Sequence, residues 1–194
     1  MNSAPFLNYI DKHVSLTEDE KSLLLTKVIY RKYLKGQYIV QQGDVCKYEN
    51  FVVKGCLKTF YVDKEGNEHV IMFAIENWWS ADLSSFFTQS PADNNIVCLE
   101  PTEVIQIPQE NIEELYIAIP KLERFFRILF QNSIIAFEKR LIRNLSMTAK
   151  ERYLHFKKLY PKIEQRVPQY AIASYIGVTK EFLSKIKSQL LLER

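Results

Sequence analysis

Lys180, Glu181, Ser184, Lys185 and Lys187 crowd into a short stretch near the end of the chain. At this spacing they share one side of a helix, where basic and polar side chains reach phosphate oxygens and base edges. The surrounding residues, Gln169-Tyr-Ala-Ile-Ala-Ser-Tyr-Ile-Gly-Val-Thr-Lys-Glu-Phe-Leu-Ser-Lys-Ile-Lys187, read as a helix-turn-helix. Ile172, Ala173 and Ile176 line one face of a first short helix, and Gly177 supplies the positive φ that a tight turn between helices needs. Val178 fills the gap, Thr179 is placed to N-cap the second helix, and Leu183 and Ile186 point inward. Lys180, Glu181 and Lys185 are then offered to base edges, and Ser184 to a base or a phosphate. Lys187, Arg166, Gln169 and Tyr170 are better placed for the phosphate backbone. A plain helical hairpin with Gly177 as its C-cap is the competing account; the complete pattern favours the motif.

Other chemistry is poorly supplied. A metal oxidase on a small β-barrel needs a His-x-His pair, a carboxylate and a further histidine. The chain has His13, His69 and His155, far apart. Glu65, Glu68 and His69 cluster, but at a hairpin loop. Cys46, Cys56 and Cys98 are isolated, lack the spacing of a metal or redox motif, and are too few for an iron–sulfur cluster. No phosphate-binding glycine loop, dinucleotide fingerprint or Ser-His-Asp order occurs. No catalytic residue, metal or cofactor is expected, so the chain reads as a non-enzyme.

The 194 residues are 47% apolar and 25% charged, a globular composition long enough for one large or two small domains. With no long apolar run and no leader, the expectation is a soluble cytoplasmic protein without membrane contact. The net charge of +3 hides an asymmetry. Residues 139–194 hold 13 Lys and Arg against 4 Asp and Glu, whereas residues 1–138 hold 13 against 19. A basic last third that coincides with the helix-turn-helix points to nucleic acid.

Upstream, residues 5–27 look helical, with Thr17-Glu-Asp-Glu20 as a capping box opening a helix that buries Leu23, Leu24 and Val28. Short segments at 28–33, 38–41, 50–53, 57–62, 69–74, 95–100 and 103–107 are rich in β-branched and aromatic residues and separated by turns. They predict an antiparallel sandwich or barrel. Residues 109–118 form a short helix stopped by Pro120, and 121–146 a long one without a breaker. That helix carries more apolar residues than one stripe can bury. A seam through Phe126, Leu129, Ser133, Phe137 and Leu141 suits parallel pairing with a second copy. A further helix spans 148–160.

In this order the chain resembles the Crp/Fnr family of bacterial transcription regulators. The resemblance rests on Lys35-Gly-Gln-Tyr-Ile-Val-Gln-Gln-Gly43-Asp44, Phe51-Val-Val-Lys-Gly55, Val62-Asp-Lys-Glu-Gly-Asn-Glu68 and Gly177-Val-Thr-Lys-Glu-Phe-Leu-Ser-Lys-Ile. It implies an α+β fold: a cyclic-nucleotide-binding-like antiparallel jelly-roll barrel over 1–120, a dimerisation helix over 121–146 and a winged helix-turn-helix domain over 147–194. It also implies a homodimer on promoter DNA, with RNA polymerase as a partner, and an effector pocket at Trp79, Ser80, Asp82, Leu83, Ser84, Asn94 and Asn95.

Two departures stand out. The Gly-Glu and Arg-Ser pairs that hold cyclic AMP in the family are replaced by Trp78-Trp-Ser-Ala-Asp-Leu-Ser-Ser-Phe-Phe and by Asp93-Asn94-Asn95. No arginine or lysine lies between Lys64 and Lys121, so a phosphate in the barrel has no cationic partner and cyclic AMP is not the expected effector. Trp78, Trp79, Phe86 and Phe87 either line a pocket for an apolar ligand or form core, the latter being favoured. The sequence also stops at Leu191-Leu-Glu-Arg194, where many members continue into a wing. The effector remains unassigned. The alternative reading is a small-molecule sensor whose last helices dock protein, but a docking surface has no need of such a basic segment.

Overall fold

The computed structural model describes residues 2–161 and 163–192; of the Leu191-Leu-Glu-Arg194 stretch, Glu193 and Arg194 lie outside them. Two helices, α1 (Ala4–Asp11) and α2 (Glu18–Thr26), precede the strands. The capping box is present: Thr17 N–H donates to Glu20 Oε2 at 2.7 Å, and Glu20 N–H to Thr17 Oγ1 at 3.2 Å. Leu24 is buried there, whereas Leu23 faces solvent, contrary to expectation.

Eight strands follow: β1 (Ile29–Tyr33), β2 (Tyr38–Val40), β3 (Tyr48–Lys54), β4 (Leu57–Val62), β5 (Glu68–Ala74), β6 (Trp79–Ser80), β7 (Asn95–Cys98) and β8 (Thr102–Pro108). They pair antiparallel in two four-stranded sheets, ordered β1-β8-β3-β6 and β2-β7-β4-β5. The jelly roll is therefore a pair of open sheets, not a closed barrel. Val52, Leu57, Ile96, Cys98 and Val104 fill the space between them. Gly55 turns β3 into β4 at φ +109, and a Cβ there would lie 2.4 Å from Thr102 Oγ1. Both the dihedral and the crowding demand glycine. Between β6 and β7 lies a short helix, α3 (Leu83–Thr88), that the turn-rich sequence did not announce. Asp82 caps it, accepting from Ser85 N–H at 3.0 Å.

A 3-10 turn (Gln109–Asn111) and α4 (Ile112–Ala118) lead into α5 (Pro120–Ser146). Pro120 does not merely stop one helix. It occupies the first position of the next, where its missing N–H costs nothing. The start of α5 buries Leu122, Phe125 and Phe126 with Phe6, Phe51 and Trp79 against the outer face of the β3 sheet. Phe126, expected on a dimer seam, is 2% exposed and belongs to this intramolecular core. Further along α5, Ile134, Phe137, Leu141 and Leu145 are exposed.

The last helices are α6 (Ala149–Leu159), α7 (Gln169–Ile176) and α8 (Lys180–Leu192). They do not stand apart from the sheets. Tyr153, Phe156, Tyr160, Ile172 and Ile176 share a core with Phe60, Val70 and Phe73 of β4 and β5. Burying these aromatic rings, at about 25 cal/mol per Å² of apolar surface, fixes the helices to that sheet.

Candidate nucleic-acid interface and effector cavity

The turn between α7 and α8 has the expected chemistry. Gly177 adopts φ +74, its N–H donates to Ser174 O at 3.1 Å, and Val178 N–H donates to Ala173 O at 3.0 Å. Thr179 Oγ1 accepts from Phe182 N–H at 3.2 Å and so caps α8. Leu183 and Ile186 are buried, which turns Lys180, Glu181, Ser184 and Lys185 to solvent. The exposed ring of Phe182 flanks this face. Sequence reasoning did not single it out, because only the charged and hydroxyl side chains of the helix were candidates for DNA contact.

The residues expected on the phosphate backbone are placed less uniformly. Gln169 is exposed at the start of α7. Tyr170 is half-exposed, its ring centroid 5.4 Å from Lys58 Nζ of β4. Lys187 is paired with Glu164 at 3.0 Å, so part of its charge is already used. Arg166 points away from the recognition face altogether. Its Nη1 donates to Glu76 Oε2 at 2.9 Å, and its Nη2 donates to Glu76 Oε1 at 2.8 Å, Glu100 Oε1 at 2.6 Å and Gly55 O at 2.9 Å. Hydrogen bonds to Glu100 and then Glu76 raise the guanidinium above its ordinary value. Burial pulls the Glu76 carboxyl upward, but Arg166 and the Gly55 N–H outweigh it and the net shift is down.

The same docking completes a sheet edge. β5 is the last strand of its sheet, and an edge strand leaves backbone groups without partners. Ser174 of α7 supplies them: its hydroxyl donates to Glu68 O at 2.7 Å and accepts from Val70 N–H at 2.9 Å. Tyr160 OH donates to Phe73 O at 3.1 Å. Arg140 of α5 donates through Nη2 to Val70 O at 3.0 Å and to Tyr175 O at 3.1 Å, with its guanidinium 4.1 Å from the centre of the Tyr175 ring. Burial lowers the Arg140 pKa. One side chain thus ties the long helix, the sheet and the helix-turn-helix together.

A cavity of about 950 Å³ opens between the sheets, α5 and α6. Of the residues expected there, Trp79, Ser80, Asp82, Leu83, Ser84 and Asn94 line it. Asn95 does not; its side chain exchanges hydrogen bonds with Gln42 instead. Asp82 is fully engaged, accepting from Ser85 N–H and from both the N–H and side-chain amide of Asn94. Ser80 Oγ lies 3.2 Å from Thr59 Oγ1. Trp79 is 8% exposed, stacked among Phe6, Phe51, Phe125 and Phe126, so it is core and cavity wall at once. Trp78 packs tilted against Tyr160, Phe86 is buried, and Phe87 meets Phe130 of α5 edge to face.

The absence of cations from the strand region does not carry over to the cavity, because Lys139, Arg140 and Arg143 of α5 reach its wall. Glu49 also lines it, is 3% exposed, and has Oε2 without a partner; burial pushes its carboxyl up to about 8. Trp79 Nε1 is likewise unpartnered. Sequence spacing missed Glu49, an isolated carboxylate within an aromatic strand.

Leu129 and Ser133 of the expected dimer seam are half-buried beside the cavity, whereas Phe137 and Leu141 are exposed. At the loop after β4, Asp63 accepts from Glu65 and Asn67 N–H, and lies 2.7 Å from His69 Nε2. The Glu65, Glu68 and His69 cluster is thus built into a hairpin. Among the described residues no group of three or more His, Cys, Asp or Glu side chains is arranged to hold a metal ion, and no helix is long and apolar enough to cross a membrane.

Residues 30–118 match the cyclic nucleotide-binding domain. Over 168 residues the chain is 27% identical to the transcriptional activator protein Anr of Pseudomonas protegens, covering 80% of this chain and 68% of that protein. It is 25% identical to the fumarate and nitrate reduction regulatory protein of Vibrio cholerae, covering 86% and 73%. Its fold is similar to that of the c-di-GMP-responsive global regulator CLP of Xanthomonas campestris, with a TM-score of 0.74 at 12% identity over 91% of this chain and 93% of that one.

Proposed function

We propose, from the matched domain, the relatives and the shared fold, that the chain is a transcription regulator of the Crp/Fnr type and acts as a cytoplasmic homodimer placing two copies of α8 in successive major grooves of promoter DNA. Two half-sites about one helical turn apart follow from that geometry. The working division is an effector unit over 1–120, a dimer helix over 121–146 and a DNA-binding unit over 147–194, with RNA polymerase as the partner at the promoter and no catalytic role. Pairing runs through the exposed part of α5, where Ile134, Phe137, Leu141 and Leu145 repeat at helical spacing. Ligand in the cavity shifts the balance between docked and DNA-competent arrangements to the extent that it binds them unequally. Cyclic AMP is not held in the family manner, because the start of α3 is already capped by the Asp82 carboxylate.

The observation that carries the DNA reading is the sidedness of α8: Leu183 and Ile186 are buried, while Lys180, Glu181, Ser184 and Lys185 are all exposed. Selections on randomised duplex test it. Lys180→Ala and Lys185→Ala are each expected to relax preference at one base position by about 1–3 kcal/mol. Lys187→Ala is expected to leave preference and salt dependence nearly unchanged, since Glu164 already neutralises it. If neither of the first two variants shifts any base preference, α8 is not the recognition helix.

A further inference from the structure

We propose that the cavity binds an organic anion, a carboxylate or a phosphate on an apolar body, with the charge held by Arg140 and Arg143 of the long helix and the body laid against Trp79, Met72, Leu129 and Phe130. The inference takes the regulator reading as its premise for what the ligand does, but not for whether it binds.

Charge comes first. Lys139, Arg140 and Arg143 line one part of the cavity, and none of them has an ion pair with an acidic side chain among the described residues. Arg140 spends one nitrogen on two backbone carbonyls and has no carboxylate to balance it. Four acids share the wall; Asp93 is exposed to solvent at its rim, and the other three are engaged. Glu76 is bound to Arg166, Asp82 accepts from Ser85 and Asn94, and Glu49 keeps its proton to about pH 8. A partly buried guanidinium without a counter-charge is costly unless an anion completes it.

The apolar body has its own evidence. The apolar part of the wall is built from Trp78, Trp79, Ile71, Met72, Leu129 and Phe130. On it sit two side chains more than nine-tenths buried with an unpartnered polar atom each, Trp79 Nε1 and Glu49 Oε2. Orphaned polar atoms at the wall of a roomy cavity mark groups that a ligand can satisfy, here a ligand oxygen accepting from the indole N–H. The cyclic-phosphate position by α3 is not the one used, because Asp82 would repel an anion there. The charge goes instead to the helix that also holds Tyr175 and Val70. An anion that draws Arg140 off those two carbonyls loosens the helix-turn-helix from the sheet.

The test uses the full chain without DNA and two dyes of like shape, 8-anilinonaphthalene-1-sulfonate and its uncharged counterpart N-phenyl-1-naphthylamine. Both tryptophans line the cavity, so energy transfer from them reports binding at or near it, and the arginine variants place the dye within it. The sulfonate is expected to bind saturably, and Arg143→Gln to weaken it about tenfold, as loss of one charge-assisted contact does, with the neutral dye within about twofold. Arg140→Gln should do the same; because it also breaks the bridge to β5, Arg143→Gln is the decisive variant. Displacement of the sulfonate by dodecanoate identifies a carboxylate ligand, and displacement by adenosine 5′-monophosphate a phosphate. Equal losses for both dyes, no loss for either, or failure of both anions to displace the sulfonate overturns the proposal. Any of these leaves the α8 selections untouched, and failure of those selections leaves the dye result standing.

Discussion

Arg166 and Glu76 meet as a two-pronged pair, Nη1 to Oε2 at 2.9 Å and Nη2 to Oε1 at 2.8 Å, across the junction between the last helices and the sheets. Arginine is suited to this geometry because its planar fork matches a carboxylate. The pair sits where the chain leaves α6 for α7, so it governs whether the helix-turn-helix stays docked.

Arg166→Ala is expected to cost on the order of 1–2 kcal/mol, a modest figure because both partners are partly solvated. The change should appear first as faster amide exchange in α7. The Glu76 carboxyl lies below its ordinary 4.5 in the folded state, so its stabilising contribution is present above that value and is lost as pH falls through the lowered one. Docking should therefore loosen in acid before the sheets unfold, and Glu76→Gln should remove that acid step. Unchanged α7 exchange in Arg166→Ala would mean that the aromatic core alone holds the domain.

Two of the phenylalanines of α5, Phe126 and Phe137, should part company. Phe137 is 46% exposed and Phe126 is 2% exposed. Phe137→Glu should give a folded monomer in sedimentation, because the charge lands on the exposed face proposed to pair with a second copy. Phe126→Glu should fail to fold, since an unpaired carboxylate in an aromatic core costs several kcal/mol. A dimeric Phe137→Glu protein would place the interface elsewhere.

Glu49 predicts a pH dependence of opposite sense to Glu76. Its carboxyl ionises near 4.5 when unfolded and near 8 when folded. Between those values folding takes up a proton, so stability falls as pH rises from 4.5 to 8 and then levels. Glu49→Gln should flatten that slope and be the more stable protein at pH 8, by on the order of a few kcal/mol. Urea unfolding of both proteins at pH 5 and pH 8 measures it; parallel curves would show that Glu49 is ionised in the fold.

The contrast between these residues explains what the sequence could disclose. The helix-turn-helix is local: Ala173, Gly177, Leu183 and Ile186 meet within a few turns of chain, and their spacing encodes the contact. The capping boxes at Thr17 and Thr148 are likewise written within four residues. Arg166 finds Glu100 and Glu76 at separations of 66 and 90 residues, which no spacing rule reaches, so a basic residue beside a DNA-binding motif read as a phosphate ligand. Phe126 and Phe137 have the same helical periodicity, and periodicity names a face without naming its partner. The cations at the cavity were invisible for a similar reason. They arrive from α5, far along the chain from the strands whose own composition lacks them.

The hydroxyl of Ser174 donates a hydrogen bond to Glu68 O and accepts one from Val70 N–H. A small slide of α7 along β5 would strand a donor and an acceptor together in a place water reaches poorly, at a cost of a few kcal/mol. Intermediate positions of the domain are therefore unfavourable compared with full docking or full departure. A single serine thus makes each molecule's movement all-or-none, with no stable halfway position.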